Sequence, residues 1–177
     1  LGYVGLPLAV CFAKAGIEVV GFEISEEKVA KINAAKNYIN DVSNEDLTEV
    51  IELGIFKATS DFSILDMCNA ILICVPTPLD VFKKPDMSFI EDACLKIGKY
   101  LKPGTFVCLE STTYPTTTEH FMLPILEAKS GLKEGKDFWL AYSPERVDPG
   151  NQQFNTQNTP KILGALSNDG REIGEAI

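Results

Sequence analysis

The sequence is short of positive charge, contains a single histidine and has no long apolar run. Its 16 lysine and arginine residues are outnumbered by 25 aspartate and glutamate residues, which gives a formal net charge of -9. The resulting negative field opposes non-specific binding to nucleic acids and to anionic membranes. No segment approaches the roughly 18 apolar residues of a spanning helix, and no secretory signal opens the chain. We therefore expect a cytoplasmic protein with neither a nucleic-acid nor a membrane partner.

The cysteines lack the spacing of metal ligands, and their odd number does not fit a secreted disulfide framework. They are Cys11, Cys68, Cys74, Cys94 and Cys108, and each lies in an apolar segment. We therefore predict buried, reduced thiols and no metal site. The length of 177 residues and the apolar content of 45% fit one principal domain.

Apolar runs rich in β-branched residues alternate with helical stretches along the chain. This alternation is typical of a parallel sheet covered by helices, so we predict an α/β fold with a doubly wound parallel sheet. The run 70–75 is expected to be a central strand buried on both faces. The predicted strands are residues 17–22, 56–58, 70–75, 105–109, 138–142 and 161–165, and the predicted helices are 6–15, 87–101, 118–130 and two that begin at the caps Ser25 and Ser43.

A glycine-rich turn opens the chain. Gly2, Tyr3, Val4 and Gly5 fit the later places of the G-x-G-x-x-G fingerprint of dinucleotide binding. Gly2 would let the backbone approach a pyrophosphate, and Gly5 would let the next helix pack closely on its strand. The turn alone is also compatible with a purely structural role.

A glutamate strengthens the dinucleotide interpretation. Glu23 follows the predicted strand 17–22, at the offset of about 20 residues expected for the acid that binds the ribose hydroxyls. A carboxylate there also repels a 2′-phosphate, so the sequence predicts NAD rather than NADP. Without the glycine-rich turn, Glu23 would be interpreted as an exposed acid at a strand end.

The first strand of the predicted Rossmann-type fold has no counterpart in the sequence. No strand precedes the glycine-rich turn, although the usual strand order 3-2-1-4-5-6 requires a central one there. We therefore expect residues 1–177 to be an NAD-binding Rossmann domain truncated at both ends. This excerpt would lack the first strand and the C-terminal domains of a longer protein.

Three polar segments follow predicted strands, namely residues 76–78, 110–113 and 143–146. In open α/β sheets, ligands bind outside the carboxyl ends of the strands. Each segment alone is compatible with an ordinary turn, because serine, threonine and proline favour turns for local reasons. Their recurrence along one predicted sheet edge favours a site of chemistry.

Four ordered motifs together span most of the chain, namely GYVGLP (2–7), CVPTP (74–78), STTYP (111–115) and YSPERVDPGN (142–151). These motifs resemble those of the UDP-glucose/GDP-mannose dehydrogenase family. The last motif is similar to the branch that acts on UDP-N-acetylhexosamines. The resemblance implies an NAD-dependent dehydrogenase that oxidises the C6 alcohol of a UDP-sugar to the uronic acid, for surface polysaccharide synthesis.

The resemblance also implies roles for individual residues. Those implied to bind NAD are Gly2, Tyr3, Val4, Gly5, Glu23, Lys28, Thr77 and Thr112, and those implied to bind the UDP-sugar are Glu145, Arg146 and Val147. Thr112 and Glu145 would also be catalytic, because the matching residues in the family orient a water and assist proton transfer near the reacting carbon. Lys28 would otherwise be a solvated lysine on a helix face.

The family's nucleophile has no counterpart in this sequence. The family traps the intermediate aldehyde as a thiohemiacetal on a cysteine of a C-terminal domain, where its catalytic lysine and asparagine also lie. Cys74 and Cys108 fall on predicted buried strands, where desolvation disfavours a thiolate. We therefore expect the nucleophile beyond residue 177, and a homodimer formed through regions outside this chain.

Two positions depart from the family motifs. Glu23 stands where many relatives have aspartate, which keeps the carboxylate on a longer side chain. Thr116 stands where the motif usually has glycine after Tyr-Pro, and a β-branched residue disfavours a positive φ there. The motifs do not identify the hexosamine.

Two alternative functions remain open at this point. One is a nucleotide-binding or regulatory module without catalysis, since a fold alone does not establish an activity. The other is an enzyme like the 3-hydroxyacid dehydrogenases, which share a similar glycine-rich opening. The Ser-Pro-Glu-Arg-Val segment argues against the second alternative.

Overall fold

The computed structural model describes residues 1–146 and 158–177, which divide into two compact units. The first unit contains Leu1–Asp61 and Arg146–Pro160, and the second contains Phe62–Glu145 and Lys161–Ile177. Each unit has its own parallel strands and its own helices. The predicted α/β class is therefore confirmed.

In the first unit, helices connect and cover two parallel strands. The elements are α1 (Gly5–Lys14), β1 (Val19–Phe22), α2 (Glu26–Asn33), α3 (Asn44–Glu52) and β2 (Phe56–Thr59). The strand register pairs Val19 with Phe56 and Phe22 with Thr59. The core is formed by the buried side chains of Leu6, Val10, Ile32, Leu47, Val50 and Phe56. All three helices contribute to it, so the apolar face of each is buried in this unit.

Serine caps begin α2 and α3 as predicted. Ser25 Oγ accepts a hydrogen bond from Lys28 N, and Ser43 Oγ accepts one from Asp46 N. Gly54 follows α3 with φ of 71°, the left-handed conformation that commonly ends a helix. These local signals depend only on neighbouring residues, which is why the sequence reveals them.

The second unit contains a four-stranded sheet in the order β3-β4-β5-β6. Its elements are a 3₁₀ turn (Phe62–Met67), β3 (Ala70–Ile73), α4 (Ser88–Tyr100), β4 (Thr105–Leu109), a π-helical segment (Thr117–Met122), α5 (Leu123–Ser130), β5 (Phe138–Tyr142), β6 (Gly164–Ala165) and α6 (Asn168–Ala176). The first three strands are parallel, and β6 is antiparallel to β5. Every residue of β4 is buried.

Two predicted elements differ in detail from the structure. The predicted strand 70–75 ends at Ile73, and among the described residues it pairs only with β4. Its Leu72 is half-buried, so the prediction of a strand buried on both faces is wrong for this unit. The predicted helix 118–130 is π-helical until Leu123, directly before Pro124. Because proline has no N–H to donate, a change in hydrogen-bond register accommodates it.

Helix α6 has no counterpart among the predicted elements. It contains Gly170 and Gly174, which weaken any prediction of a helix from propensity. An added Cβ would lie 3.3 Å from Trp139 Cβ at Gly170 and 2.9 Å from Phe106 Cζ at Gly174. The close packing of α6 against the sheet therefore favours glycine at these two positions, and this tertiary contact outweighs the local propensity.

All five cysteines are free thiols, of which Cys94 and Cys108 are buried and the others half-buried. Within residues 1–146 and 158–177, no helix is long and apolar enough to cross a membrane. The same residues contain no cluster of three or more histidine, cysteine, aspartate or glutamate side chains that could hold a metal ion.

Candidate functional site

The glycine-rich turn leads directly into α1. Gly5 is the first residue of the helix and Val4 is its N-cap, and no side chain caps the first turn, which also contains no acid. In contrast, α2, α3 and α6 each begin with a serine cap and carry an acid in the first turn. Gly2 has open space where a Cβ would stand, and the Tyr3 side chain is exposed. The positive end of α1 is therefore suited to an anionic ligand.

Glu23 lies directly after β1 and is only 8% exposed. Ser25 N donates to its Oε1 at 3.1 Å. Lys28 Nζ lies 3.7 Å from Oε2. Burial raises the pKa of the Glu23 carboxyl, whereas the hydrogen bond from Ser25 N and the charge of Lys28 lower it. Glu23 is therefore a buried acceptor beside a cation and not an exposed acid.

Tyr38 is a further member of this cluster that the sequence did not reveal. Its hydroxyl donates to the Leu1 carbonyl oxygen at 2.7 Å, and Lys28 Nζ lies 5.9 Å from its ring centroid. Burial, together with the charge of Glu23, raises the pKa of Tyr38 to about 12. Tyr38 thus stays a neutral donor that fixes the backbone beside Glu23. The only sequence signal was an aromatic residue in the polar stretch after α2.

Two of the three predicted polar segments meet in the second unit. Thr77 Oγ1 donates to the Thr112 carbonyl oxygen at 2.6 Å, and Thr77 is half-buried while Thr112 is exposed. Ser111 is buried, and its Oγ donates to the Val75 carbonyl oxygen at 2.7 Å. Hydrogen bonds from hydroxyl groups therefore connect the segments that follow β3 and β4. The threonine side chains stay accessible to a ligand.

The third segment begins where β5 ends. Ser143 N donates to the Leu109 carbonyl oxygen at 2.9 Å, which holds this segment beside the end of β4. Ser143 Oγ is buried and forms no hydrogen bond with the described residues. Glu145 is half-buried, and Arg146 is exposed and belongs to the first unit. Val147, the last predicted site residue, lies outside the described residues.

An ion pair that the sequence analysis missed lies at the same sheet edge. Glu110 follows β4, is 6% exposed and pairs with Lys161. Cys108 Sγ lies 3.9 Å from Glu110 Oε1. Burial raises the pKa of Glu110, the Lys161 ammonium lowers it, Glu145 raises it further, and the net pKa is raised. The 51-residue separation of the pair hid it from local sequence patterns.

Three thiols of the second unit are unsuited to nucleophilic attack. Burial raises the pKa of Cys74, Cys94 and Cys108 to about 12 in each case. A nucleophilic cysteine must be a thiolate near neutral pH, whereas these groups stay protonated. The expectation that Cys74 and Cys108 are disfavoured as thiolates is confirmed.

The turn after Thr112 has the strain that the sequence suggested. Thr116 has φ of 72°, a left-handed conformation that a β-branched residue rarely adopts. Thr117 Oγ1 donates to the Tyr114 carbonyl oxygen at 2.8 Å and lies 2.8 Å from Thr113 Oγ1. These hydroxyl contacts hold the left-handed turn in place without a glycine.

A family model and several known proteins match the chain over its whole length. A family model for the NAD binding domain of the UDP-glucose/GDP-mannose dehydrogenase family covers residues 1–177. The chain is 38% identical to UDP-N-acetyl-D-glucosamine 6-dehydrogenase of Pseudomonas aeruginosa and to UDP-N-acetyl-D-mannosamine dehydrogenase of Pyrococcus horikoshii. Each alignment covers 100% of this chain, but 41% and 42% of the respective relative. The chain thus spans about two fifths of these relatives.

Solved structures support the same relationship. The UDP-D-ManNAc dehydrogenase of Pyrococcus horikoshii superposes with a TM-score of 0.90 at 37% identity, over 99% of this chain and 42% of that one. A GDP-mannose dehydrogenase ternary complex from Pseudomonas aeruginosa gives 0.91 at 28% identity, over 99% and 42% of the two chains. These relatives support the predicted Rossmann-type fold and a nicotinamide dinucleotide cofactor. They do not favour the alternative of an enzyme like the 3-hydroxyacid dehydrogenases. The chain belongs to the UDP-glucose/GDP-mannose dehydrogenase family and matches its NAD-binding domain.

Proposed function

We propose that this chain is the cofactor-binding part of an NAD-dependent dehydrogenase, which oxidises the C6 alcohol of a UDP-N-acetylhexosamine to the uronic acid. The observation that carries the proposal is the 38% identity, over the whole chain, to UDP-N-acetyl-D-glucosamine 6-dehydrogenases of Pseudomonas aeruginosa and Salmonella typhi. A similar identity to Protein CapL of Staphylococcus aureus favours a role in surface polysaccharide synthesis. The proposal includes a cytoplasmic homodimer, joined through regions outside this chain.

The glycine-rich turn fits the phosphates of a dinucleotide. Its helix start has no side-chain cap and no acid, and Gly2 leaves room for close approach. The residues assigned to the pyrophosphate are Gly2, Tyr3, Val4 and Gly5.

The cluster around Glu23 fits the adenosine ribose. Its carboxylate accepts hydrogen bonds, so it suits the ribose hydroxyls, and its charge opposes a 2′-phosphate. Lys28 lies beside Glu23 and is assigned to the same ribose. This arrangement favours NAD over NADP.

The second unit supplies the groups for chemistry in this proposal. Bound NAD is a hydride acceptor, and oxidation of a primary alcohol to a carboxylate releases two hydrides and consumes one water. Thr77 and Thr112 are assigned to the nicotinamide half, and Thr112 also orients the water. Glu145 assists proton transfer, and it contacts the UDP-sugar together with Arg146 and Val147. The protonated thiols described above favour a nucleophilic cysteine elsewhere in the full-length protein.

Turnover by the full-length protein tests the proposal. We expect reduction of NAD with UDP-N-acetylglucosamine, UDP-N-acetylmannosamine or UDP-N-acetylgalactosamine, with two NADH formed per sugar. UDP-glucose and NADP serve as the matched alternative substrate and cofactor. If no nucleotide-sugar reduces NAD although calorimetry detects NAD binding, the non-catalytic nucleotide-binding module is favoured instead.

A further inference from the structure

The proposed function assigns no role to one tyrosine beside the glycine-rich turn. Tyr38 lies in the loop between α2 and α3, and its side chain is half-buried. Its hydroxyl donates to the Leu1 carbonyl oxygen at 2.7 Å. This carbonyl belongs to the peptide group that joins Leu1 to Gly2, so the hydrogen bond ends directly at the start of the glycine-rich turn.

Side-chain amides hold the loop that carries Tyr38. Asn33 ends α2, and its Nδ2 donates to the Ala58 carbonyl oxygen at 2.9 Å while its Oδ1 accepts from Ala58 N at 2.8 Å. Within the loop, Asn37 Nδ2 donates to the Ile39 carbonyl oxygen at 2.8 Å, and Asn37 Oδ1 accepts from Ile39 N at 2.9 Å. Ile39 is buried in the core of the first unit. The loop therefore fixes Tyr38 relative to β2 and to that core.

The start of the glycine-rich turn has little support from its own side chains. Gly2 has none, and the Tyr3 side chain is exposed. The Leu1 side chain packs against the core, and its Cδ1 would lie 2.7 Å from a Cβ added at Gly21. Leu1 is thus held from two sides, because its side chain packs on Gly21 and its carbonyl oxygen accepts from Tyr38.

The ring of Tyr38 lies beside the two residues assigned to the adenosine ribose. Lys28 Nζ lies 5.9 Å from the ring centroid and 3.7 Å from Glu23 Oε2. An ammonium group within about 6 Å of an aromatic face is attracted to it. Tyr38 therefore contacts both parts of the proposed cofactor site, the turn through its hydroxyl and Lys28 through its ring.

We propose that Tyr38 is a positioning residue for the cofactor: its hydroxyl orders the glycine-rich turn for the pyrophosphate, and its ring supports Lys28 beside Glu23. A turn that is ordered before binding loses little conformational freedom when the ligand binds, so the affinity is higher. Tyr38 acts through Leu1 and Lys28 and does not contact the cofactor. This inference rests on the proposed function, because that function assigns the turn and Lys28 to NAD.

Tyr38→Phe in the full-length protein tests the hydroxyl. The variant keeps the ring beside Lys28, but the Leu1 carbonyl loses its donor. The net contribution of one neutral hydrogen bond limits the effect, so the Kd for NAD should rise about two- to tenfold in calorimetry. The Kd for ADP-ribose, which has the same pyrophosphate and adenosine ribose, should rise by the same factor. KM for NAD should rise with Kd, and kcat at saturating NAD should stay unchanged.

A double-mutant cycle tests the ring. Tyr38→Leu removes the ring and the hydroxyl, so it should weaken NAD binding more than Tyr38→Phe does. Lys28→Met should weaken NAD binding by a smaller factor in the Tyr38→Leu background than in the Tyr38→Phe background, because the ring no longer supports the ammonium. Equal factors in the two backgrounds would contradict the role of the ring.

Tyr100→Phe is the matched control. Tyr100 is also half-buried, and Lys99 Nζ lies 4.9 Å from its ring centroid, but it belongs to α4 of the second unit. This variant should leave the Kd for NAD unchanged. Thermal unfolding of each variant separates positioning from general destabilisation, because a merely structural Tyr38 would lower the unfolding temperature and leave the Kd measured well below that temperature unchanged.

The outcomes distinguish this inference from the proposed function. An unchanged Kd for Tyr38→Phe, or a loss of kcat without a loss of affinity, overturns the inference alone. A wild-type protein that binds no NAD contradicts both the inference and the proposed function. A wild-type protein that binds NAD but oxidises no nucleotide-sugar contradicts only the proposed oxidation, and the comparison of Kd values still decides the role of Tyr38.

Discussion

Each unit places a buried glutamate directly after a parallel strand, but the two carboxyls have different neighbours. Glu23 follows β1 and Glu110 follows β4, with exposures of 8% and 6%. Burial raises the pKa of both carboxyls. The Ser25 N–H and the Lys28 ammonium lower the pKa of Glu23, whereas Glu110 interacts with the Lys161 ammonium and the charge of Glu145, and its net pKa is raised. The two carboxyls therefore differ in the number and kind of their partners.

Glu23 has a backbone donor and a cation, and Glu110 has one cation and a neighbouring acid. Ser25 N and the Lys28 ammonium both favour the charged form of Glu23. Glu110 pairs with Lys161, which is 51 residues away in the sequence, and the charge of Glu145 opposes its ionisation. A carboxylate that has donors suits ligand binding, while a buried acid near a second acid suits proton transfer. Substitutions in the first unit should therefore change cofactor affinity, and those in the second unit should change turnover.

The largest expected effect is on kcat in the second unit. Glu145→Gln removes the proposed proton-transfer group, so kcat should fall by about 100-fold, the usual scale of general acid–base assistance. NAD affinity should hardly change. The measurement is steady-state turnover of the full-length protein with a UDP-N-acetylhexosamine. Glu119→Gln, an exposed acid of the same unit, is the control, and near-wild-type kcat for Glu145→Gln would show that this loop is only structural.

The matching substitution in the first unit should change affinity instead. Glu23→Gln weakens a charge-assisted acceptor, and such hydrogen bonds contribute about 1.5–3 kcal/mol, so the Kd for NAD should rise roughly 10- to 100-fold. Discrimination against NADP should shrink, because the charge that repels a 2′-phosphate is lost. Titration calorimetry with both cofactors measures this, with exposed Glu18→Gln as the control. Unchanged NAD affinity, or wild-type binding of NADP as tight as NAD, contradicts the assignment.

The two glutamates also show what the sequence could reveal. Glu23 was identified because its distance from the glycine-rich turn is a known pattern and because it follows a strand that the sequence predicts. The importance of Glu110 depends on Lys161, 51 residues away, and no local periodicity connects the two. The buried run of β4 was predicted with its correct ends for the same local reason. Helix α6 was missed because its glycines have meaning only against Trp139 and Phe106.

A smaller effect is expected for Thr112. Thr112→Ala removes one neutral hydroxyl contact to the proposed water, which is typically worth about 1 kcal/mol, so kcat should fall about fivefold. Thr112→Ser keeps a hydroxyl and should retain most of the activity. The hydrogen bond from Thr77 ends on the Thr112 backbone carbonyl, so neither substitution removes it. Equal loss in both variants would indicate that the methyl group, not the hydroxyl, matters.

The smallest expected effect is on the stability of the protein. It concerns one residue in each unit that has a left-handed backbone conformation. Thr116 of the second unit has φ of 72°, and Ala35 of the first unit has φ of 52°. A left-handed conformation costs an L-residue roughly 1–2 kcal/mol, more for a β-branched one, while glycine adds roughly 0.5–1 kcal/mol of unfolded-state entropy. Thr116→Gly should therefore stabilise the protein by about 1 kcal/mol, and Ala35→Gly by less. Thermal unfolding of the full-length variants gives the order. Destabilisation by Thr116→Gly would mean that the threonine side chain, and not glycine's freedom, holds the turn after the STTYP motif.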